Sequence, residues 1–316
     1  MNQHDNLPSV CLGRFFLMVF RLISASAAVT LSFASPVYAQ EGVVTLEPNG
    51  NWNLDFGEYR CRLARLFGTE EDKTIFYIEQ TSPSNTFTWL VAGGLIERLG
   101  SARNIGVSFG TFPEQKFGRS DSYGRSSYDF GEFGNALTGI GYKPLIPNDE
   151  QNSSDVPLRT FMSLDAMAGE KIDHVSFSRR DRTVRLATGN MKAAFEALNT
   201  CTKDLYAFWG IDVEKLGNAV QGPRSRNMER VAQRLLQHYP KAAEQRGEDA
   251  IMNLKIIVGA DGKVERCIAI HQTKAENFDN FACETMEKYA EFDPAVDAKG
   301  KPVRSVASQT VRYHTD

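Results

Sequence analysis

The sequence predicts an α+β protein, with a mainly β N-terminal domain closed by a helix and a small C-terminal β-β-α-β domain. Three observations support this fold class. Short segments in which apolar and polar residues alternate recur from residue 42 to about residue 188, as in strands with one buried face. Apolar residues then recur every three or four positions from Met191 to about Phe208, a pattern typical of an amphipathic helix. After Tyr239, two alternating segments flank a tight turn and precede a second helical segment and a final strand.

The first 39 residues have the features of a secretory signal. Basic Arg21 precedes an apolar run from Leu22 to Ala34, and Val37-Tyr38-Ala39 places small residues where a signal peptidase reads them. We expect cleavage before Gln40 and export of the remaining chain. The alternative is an uncut segment that anchors the protein in the membrane. The apolar run of about 13 residues is shorter than the roughly 20 that a spanning helix needs, which favours cleavage.

The composition limits the function classes that fit the chain. The protein has 316 residues, a formal net charge of -3 and no long basic tract. An electrostatic grip on nucleic acid needs clustered lysines and arginines, so we expect no nucleic-acid partner. The five histidines lie far apart in the sequence and show no metal-ligand spacing. We therefore expect no metal and no other cofactor.

The cysteines indicate disulfide bonds. Cys11 would leave with the signal, and an even number of cysteines would remain in an oxidising compartment, which is typical of disulfide pairing. These are Cys61, Cys201, Cys267 and Cys283. Four cysteines allow three pairings, and pairing within each predicted domain favours Cys61–Cys201 and Cys267–Cys283. None lies in a CxxC motif, so thiol exchange chemistry is not expected.

Residues 40–210 are expected to form the mainly β domain. Trp52-Asn53-Leu54-Asp55-Phe56 is one of its alternating segments. The stretch 106–141 is rich in glycine and aromatic residues. It fits either a sugar-binding surface or a set of hairpins with aromatic core residues, and we favour the hairpins. Residues 211–226 contain two glycines and a proline and are expected to be a linker.

The remaining segment has the pattern of a small β-β-α-β unit. We expect strands from about Ile251 to Val258, from Lys263 to about Ile270, and from about Val303 to Tyr313. Asp261-Gly262 between the first two strands is a strong hairpin signal. Asn277 is a good residue to cap the following helix.

Several short motifs appear in a fixed order from Tyr239 to about His314, within the C-terminal domain expected at residues 227–316. They are Tyr239-Pro240, Asp261-Gly262-Lys263-Val264, Phe278-Asp279, Phe292-Asp293-Pro294-Ala295 and Gly300-Lys301-Pro302-Val303. In this order and spacing they resemble the C-terminal domain of TonB, the periplasmic protein that passes inner-membrane energy to outer-membrane receptors. No single motif is specific; the resemblance depends on their sequence and spacing together.

The resemblance implies a binding mode in which a short extended segment of a receptor pairs with the edge of the sheet. The edge strand would contain Val303, Ser305, Val306, Ala307, Ser308, Gln309, Thr310 and Val311. Pro302 at its start suits an edge position, because proline cannot donate to a ladder. The alternative is that this strand only completes the fold.

A TonB transducer also needs an uncut membrane helix and a long proline-rich linker, and this sequence shows neither. We therefore expect a non-enzymatic periplasmic protein that binds envelope partners, outer-membrane receptors among them. The first alternative is an inner-membrane-anchored energy transducer that faces the periplasm and keeps its signal.

The second alternative is an envelope hydrolase. The acidic and histidine residues that could serve it are Asp55, Glu58, Asp129, Glu132, Asp173 and His174. They form no nucleophile elbow, metal motif or acid/base signature. We therefore expect no catalytic residues.

Overall fold

A computed structural model describes residues 42–100, 105–117, 128–140, 162–237, 239–248, 250–271, 277–278 and 280–313. The secretory signal expected at residues 1–39 lies outside the described residues. The described residues form one compact, strand-rich α+β unit.

The strands, numbered in chain order, account for most of the regular structure. They are β1 Val43–Leu46, β2 Pro48–Phe56, β3 Cys61–Gly68, β4 Lys73–Gln80, β5 Thr88–Gly93, β6 Ile105–Phe109, β7 Gln115–Phe117, β8 Tyr128–Asp129, β9 Asn135–Ile140, β10 Val175–Arg179, β11 Arg182–Leu186, β12 Ala219–Gln221, β13 Arg224–Ser225, β14 Ala250–Val258, β15 Val264–His271, β16 Phe292–Asp293, β17 Ala295–Asp297, β18 Pro302–Val303 and β19 Ser305–Tyr313.

The helices are fewer, and most are short. They are α1 Gly94–Glu97, α2 Ala166–Glu170, α3 Lys192–Phe208, α4 Val213–Gly217, α5 Met228–Leu236, α6 Lys241–Arg246 and α7 Phe281–Tyr289. Helix α3 begins one residue after Met191 and ends at Phe208, as the apolar periodicity of that segment predicts.

Two sheets form the N-terminal part. One has six antiparallel strands in the order β2-β3-β4-β5-β9-β8, and the other has five in the order β1-β11-β10-β6-β7, with β1 parallel to β11. Aromatic side chains join the sheets: the ring of Phe76 on β4 lies 6.4 Å from that of Phe109 on β6 and 6.3 Å from that of Phe177 on β10. Trp89 on β5 lies 5.5 Å from Phe177, measured between ring centroids. This aromatic contact forms the centre of the N-terminal core.

Helix α3 is fixed to the six-stranded sheet by a covalent bond and a hydrogen bond. Cys201 on α3 forms a disulfide with Cys61 on β3. Phe195 and Leu198 on the same face of α3 are buried. Just beyond the helix, the indole Nε1 of Trp209 donates to the carbonyl of Glu58 at 2.9 Å. The buried face of α3 therefore carries the cysteine, as its helical spacing predicts.

The C-terminal sheet has the order β15-β14-β19 and is antiparallel throughout. Strand β14 is central and aligns residue by residue with β19, from Ala250 opposite Tyr313 to Val258 opposite Ser305. Helix α7 covers one face of this sheet, and its Cys283 forms a disulfide with Cys267 on β15. The element order is therefore the β-β-α-β order that the sequence indicates.

The start of helix α7 differs from the expectation. Asn277 does not cap the helix, which begins at Phe281 after Asn280. Instead, the Asn277 side-chain amide donates to Glu248 Oε1 at 2.5 Å, and its backbone N–H donates to Glu248 Oε2. The helix starts three residues later than the sequence suggested, and Glu248 holds Asn277 in the segment before it.

Residues 211–226, which we expected to be a linker, contain regular structure that pairs with the C-terminal part. Strand β12 pairs with β17, and β13 pairs with β16, both antiparallel. Helix α4 precedes them, with Leu216 buried. Each of these strands has at most three residues, too few for an alternating pattern to be visible in the sequence.

Candidate functional site

Strand β19 forms one edge of the C-terminal sheet. Within the described residues it pairs with β14 alone, so its outer side has no strand neighbour. Residues 305–311 of the expected edge strand lie in β19, whereas Val303 lies in β18, which pairs with β17 of a different sheet. Val303 is buried. A segment that added to β19 would therefore meet the backbone from Ser305 onward.

The two faces of β19 have different surroundings. Ser305, Val311 and Tyr313 are buried on the face that points to α7. On the other face, the Thr310 hydroxyl donates to Asn253 Oδ1 at 2.8 Å, across to the neighbouring strand. Ser308 is exposed on this second face. The side chains thus hold β19 onto β14, while its outer backbone edge is free of strand pairing in the described part of the chain.

At the opposite edge of the sheet, helix α7 and the residues that follow it contact the backbone at two points, in β15 and just before it. The backbone N–H of Cys267 donates to Glu287 Oε1 of the helix at 2.8 Å. The disulfide to Cys283 joins the same two elements. Lys263, just before β15, forms an isolated antiparallel bridge with Glu291. The two edges are therefore unequal, and β19 is the more accessible one for strand addition.

The face of β14 that points away from α7 is covered by the N-terminal part. Ile257 is buried in the same apolar cluster as Trp209 and Ile211. Beside it, the Lys255 ammonium lies 3.3 Å from Ser82 Oγ and 3.0 Å from Ser308 Oγ. Its side chain is 5% exposed. Burial lowers the pKa of Lys255 to about 8, because a charged ammonium loses solvation there.

Arg304 provides a second connection between the two parts. It lies between β18 and β19, and its Nη1 donates to the backbone carbonyls of Trp209 at 2.8 Å and Gly210 at 2.6 Å. Its Nε donates to Glu265 Oε2 on β15, also at 2.6 Å. The Arg304 guanidinium therefore connects the end of helix α3 to the C-terminal sheet, since Arg304 directly precedes β19 and also binds Glu265 on β15.

Sequence reasoning did not identify Lys255 or Arg304. For Lys255 a signal was present, because it is a charged residue between Leu254 and Ile256 in an otherwise apolar run. A lysine there predicts either a bulge or a buried polar contact. For Arg304 the local sequence carries no comparable signal, since its partners are backbone carbonyls about 95 residues earlier.

The acidic and histidine residues considered for hydrolysis lie on strands and turns with ordinary local partners. Asp55 is 3.9 Å from Arg60, and His174 Nδ1 lies 2.6 Å from Asp173 Oδ1 of the preceding residue. Glu58 follows β2, and Glu132 lies in an exposed 3-10 turn. Asp129 is in β8. Across the described ranges, no three His, Cys, Asp or Glu side chains are grouped so that they could hold a metal ion.

None of the helices described above combines the length and the apolar character needed to cross a bilayer.

Residues 236–315 match the family model described as the Gram-negative bacterial TonB protein C-terminal. The match confirms the resemblance inferred from the motifs between Tyr239 and Val303, and it spans the C-terminal sheet and helix α7. No match to the chain is found among curated proteins.

Proposed function

We propose that this chain is a non-enzymatic periplasmic protein whose TonB-like C-terminal domain binds extended segments of envelope proteins, outer-membrane receptors among them, by strand addition to β19. The proposal includes export and removal of residues 1–39. The observation that carries it is the inequality of the two sheet edges. Both outer strands pair with β14 alone within the described residues, but at β15 the Glu287 carboxylate takes a backbone donor and the Cys267–Cys283 disulfide holds helix α7 beside it, whereas no such contact is seen along the outer side of β19 there.

Strand addition uses the groups that β19 leaves available. A partner segment would supply backbone donors and acceptors to the outer side of residues 305–311, and these hydrogen bonds would give most of the affinity. The side chains of Ser308 and Thr310 lie on the exposed side of the strand and would contact alternate residues of the partner. Polar residues at these positions favour a partner segment with polar or small side chains.

The N-terminal part packs against the C-terminal sheet and holds strand β19 in place for strand addition. Lys255 and Arg304 hold the C-terminal sheet against the N-terminal part at contacts of 3.3 Å to Ser82 and 2.8 Å to Trp209. A preformed edge loses little conformational entropy when a partner strand binds. We propose that the N-terminal domain thereby presents the β19 edge to envelope partners.

The test uses the oxidised mature chain, residues 40–316, and synthetic peptides with the sequence of the amino-terminal TonB box of outer-membrane receptors from the same bacterium. Binding is measured by fluorescence polarisation, and amide hydrogen exchange is measured with and without peptide. We expect amides of β19 to exchange more slowly in the complex and those of β15 to be unchanged. Protection confined to other elements would contradict strand addition.

A pair of variants at one position separates backbone pairing from side-chain contact. Thr310→Pro removes a backbone donor in β19 and should weaken peptide binding by about tenfold or more. Thr310→Ala keeps that donor and loses only the side-chain contact, so it should weaken binding by no more than about threefold. Far-ultraviolet circular dichroism and an intact-disulfide mass check establish that both variants are folded. Equal affinity of the two variants would sink the proposal.

Amino-terminal sequencing of the protein from fractionated cells tests the export part separately. We expect a start at Gln40 in the periplasmic fraction. A start at Met1 in washed inner membranes would instead favour the anchored transducer.

A further inference from the structure

A cleft opens on the side of the C-terminal domain that carries helix α7. It has a volume of about 360 Å³ and lies between α5, the end of α7 and the start of β15. Its charged lining residues are Arg230, Arg234, Lys263, Lys288, Glu287 and Glu291. Its size is in the lower part of the range for small-molecule sites, roughly 300 to 1,000 Å³.

The cleft concentrates positive charge in a chain whose formal net charge is -3. Arg230 and Arg234 are four residues apart on α5 and so share one helical face. Arg234 stacks on the ring of Tyr289, 4.1 Å from its centroid, and the Lys288 ammonium is 5.2 Å from the same centroid. In the described part of the chain, no carboxylate lies within ion-pair distance of Arg230, Arg234 or Lys288.

The two acidic residues that line the cleft have contacts of their own. Glu287 accepts the backbone N–H of Cys267 at 2.8 Å, and Glu291 is 3.6 Å from Arg226. The wall is fixed by Asn227, whose side-chain amide donates to the carbonyl of Tyr289 at 2.8 Å and accepts the N–H of Glu291 at 3.0 Å. Four basic and two acidic residues therefore line the cleft, which leaves a net formal charge of +2 on a surface that hydrogen bonds hold in place.

From this arrangement we infer that the cleft binds a compact phosphate-bearing anion of two or more negative charges, either a soluble phosphate ester or a lipid headgroup. Arginine forms bidentate hydrogen bonds with phosphate oxygens, and lysine adds a point charge. Arg230, Arg234 and Lys288 surround one small volume, which suits a single diphosphate-sized group. An extended acidic peptide would need cations spaced along a groove instead.

This site is separate from the β19 edge. The cleft borders β15, which lies on the other side of β14 from β19. A ligand in the cleft would therefore not compete with strand addition. An exported protein with both sites could bind a protein segment and a phosphate-bearing surface at the same time.

The test is isothermal titration of the oxidised mature chain with inorganic pyrophosphate at low and high salt. Arg230→Glu and Lys288→Glu should each weaken binding by about tenfold or more, because each reverses a charge at the cleft. Lys241→Glu is the matched control, with the same change in net charge. It lies on α6, after Tyr239, whose ring packs against Tyr313 at the far end of the sheet. The control should bind pyrophosphate within about twofold of the unaltered chain, since distant exposed charges are screened by salt.

Co-sedimentation with phosphatidylglycerol vesicles distinguishes the two sources of phosphate. Vesicle binding that pyrophosphate displaces would support a lipid headgroup, and pyrophosphate binding without vesicle binding would support a soluble ester. Thr310→Pro should leave pyrophosphate binding intact, so failure of strand addition and failure of this site can be told apart. Absence of pyrophosphate binding at millimolar concentration, an equal loss in Lys241→Glu, or binding of a polyglutamate peptide in place of pyrophosphate would each overturn the inference.

Discussion

The ammonium of Lys255 in the centre of the C-terminal sheet lies 3.3 Å from the hydroxyl of Ser82, a residue 173 positions earlier in the chain. Ser308 accepts a second hydrogen bond from the same ammonium, at 3.0 Å. A lysine that is 5% exposed and has two hydroxyl partners gains little to offset its lost solvation. Lys255 thus connects the C-terminal sheet to the N-terminal part, and its burial lowers the free energy of unfolding by an amount that depends on pH.

The pH dependence of that cost gives the first prediction. The pKa of Lys255 falls from 10.5 to about 8 on folding, so between these values the unfolded chain binds more protons than the folded one. Stability should therefore rise as pH increases from 8 towards 10.5, by about 3 kcal/mol from this residue alone. Below pH 8 the full penalty is present.

Lys255→Met isolates this effect, because methionine is of similar length and does not titrate. Urea denaturation of both proteins at pH 7.5 and 10.5 measures the free energy of unfolding. We expect the advantage of the methionine variant to be largest at pH 7.5 and to shrink by about 3 kcal/mol at the higher pH. A constant difference across this range would mean that burial does not lower the pKa of Lys255.

Arg304 gives the second prediction. Its Nη1 donates to two carbonyls, those of Trp209 and Gly210, and substitution would leave both without these donors. Arg304→Met should lower the free energy of unfolding by about 2 kcal/mol, since hydrogen bonds from a charged donor contribute more than neutral ones. Arg266→Met, at an exposed position on β15, is the control and should change stability by less than about 0.5 kcal/mol. Similar losses in the two variants would show that the carbonyl contacts contribute nothing specific.

The hairpin glycine gives the third prediction. Gly262 has φ +80, and a Cβ there would collide with the carbonyl oxygen of Phe292. Gly262→Ala should cost about 2 kcal/mol or more, because strain from the left-handed conformation and a backbone clash add. Gly300 has a similar φ of +72 but open space around it, so Gly300→Ala should cost only about 1 kcal/mol. Thermal unfolding of the two variants measures the difference, and equal losses would mean that the clash relaxes freely.

The two disulfides give the fourth prediction. Cys61–Cys201 has a sequence separation of 140 and Cys267–Cys283 one of 16. In the chain-entropy model the longer loop stabilises by about 5 kcal/mol and the shorter by about 3. Double alanine replacement of Cys61 and Cys201 should therefore lower the denaturation midpoint more than that of Cys267 and Cys283. The reverse order would indicate that strain or residual structure outweighs loop closure.

Much of the C-terminal fold could be predicted because its signals are local. The strand from about Ile251 to Val258 was expected from alternation alone, and the structure extends it by one residue to Ala250. The Asp261-Gly262 hairpin is set by backbone preferences of two adjacent residues. The predicted helix cap was wrong because the helix begins at Phe281, and Asn277 lies before it, bonded to Glu248 nearly 30 residues away. Long-range competition of that kind leaves no trace in local sequence.

In the candidate site, too, local features could be predicted from the sequence and long-range contacts could not. Ser305 to Val311 could be placed on one strand from their own pattern and from the motifs around them. The edge position of this strand was expected from the resemblance alone, and the contact of the opposite edge with Glu287 depends on how the elements pack. The cluster of Arg230, Arg234 and Lys288 was not predicted, since it forms from two helices separated by more than 40 residues, and each helix alone reads as an ordinary solvated surface.

The link between Cys61 and Cys201 also determines how the chain responds to a protease. The bond closes a covalent ring around every residue from 62 to 200, since its sequence separation is 140. A single cut anywhere inside that ring opens it without releasing a fragment. The nicked protein would migrate as one species until it is reduced, and only then separate into two pieces. Digestion followed by gel electrophoresis with and without reductant would therefore overestimate the intactness of the N-terminal part whenever the reductant is omitted.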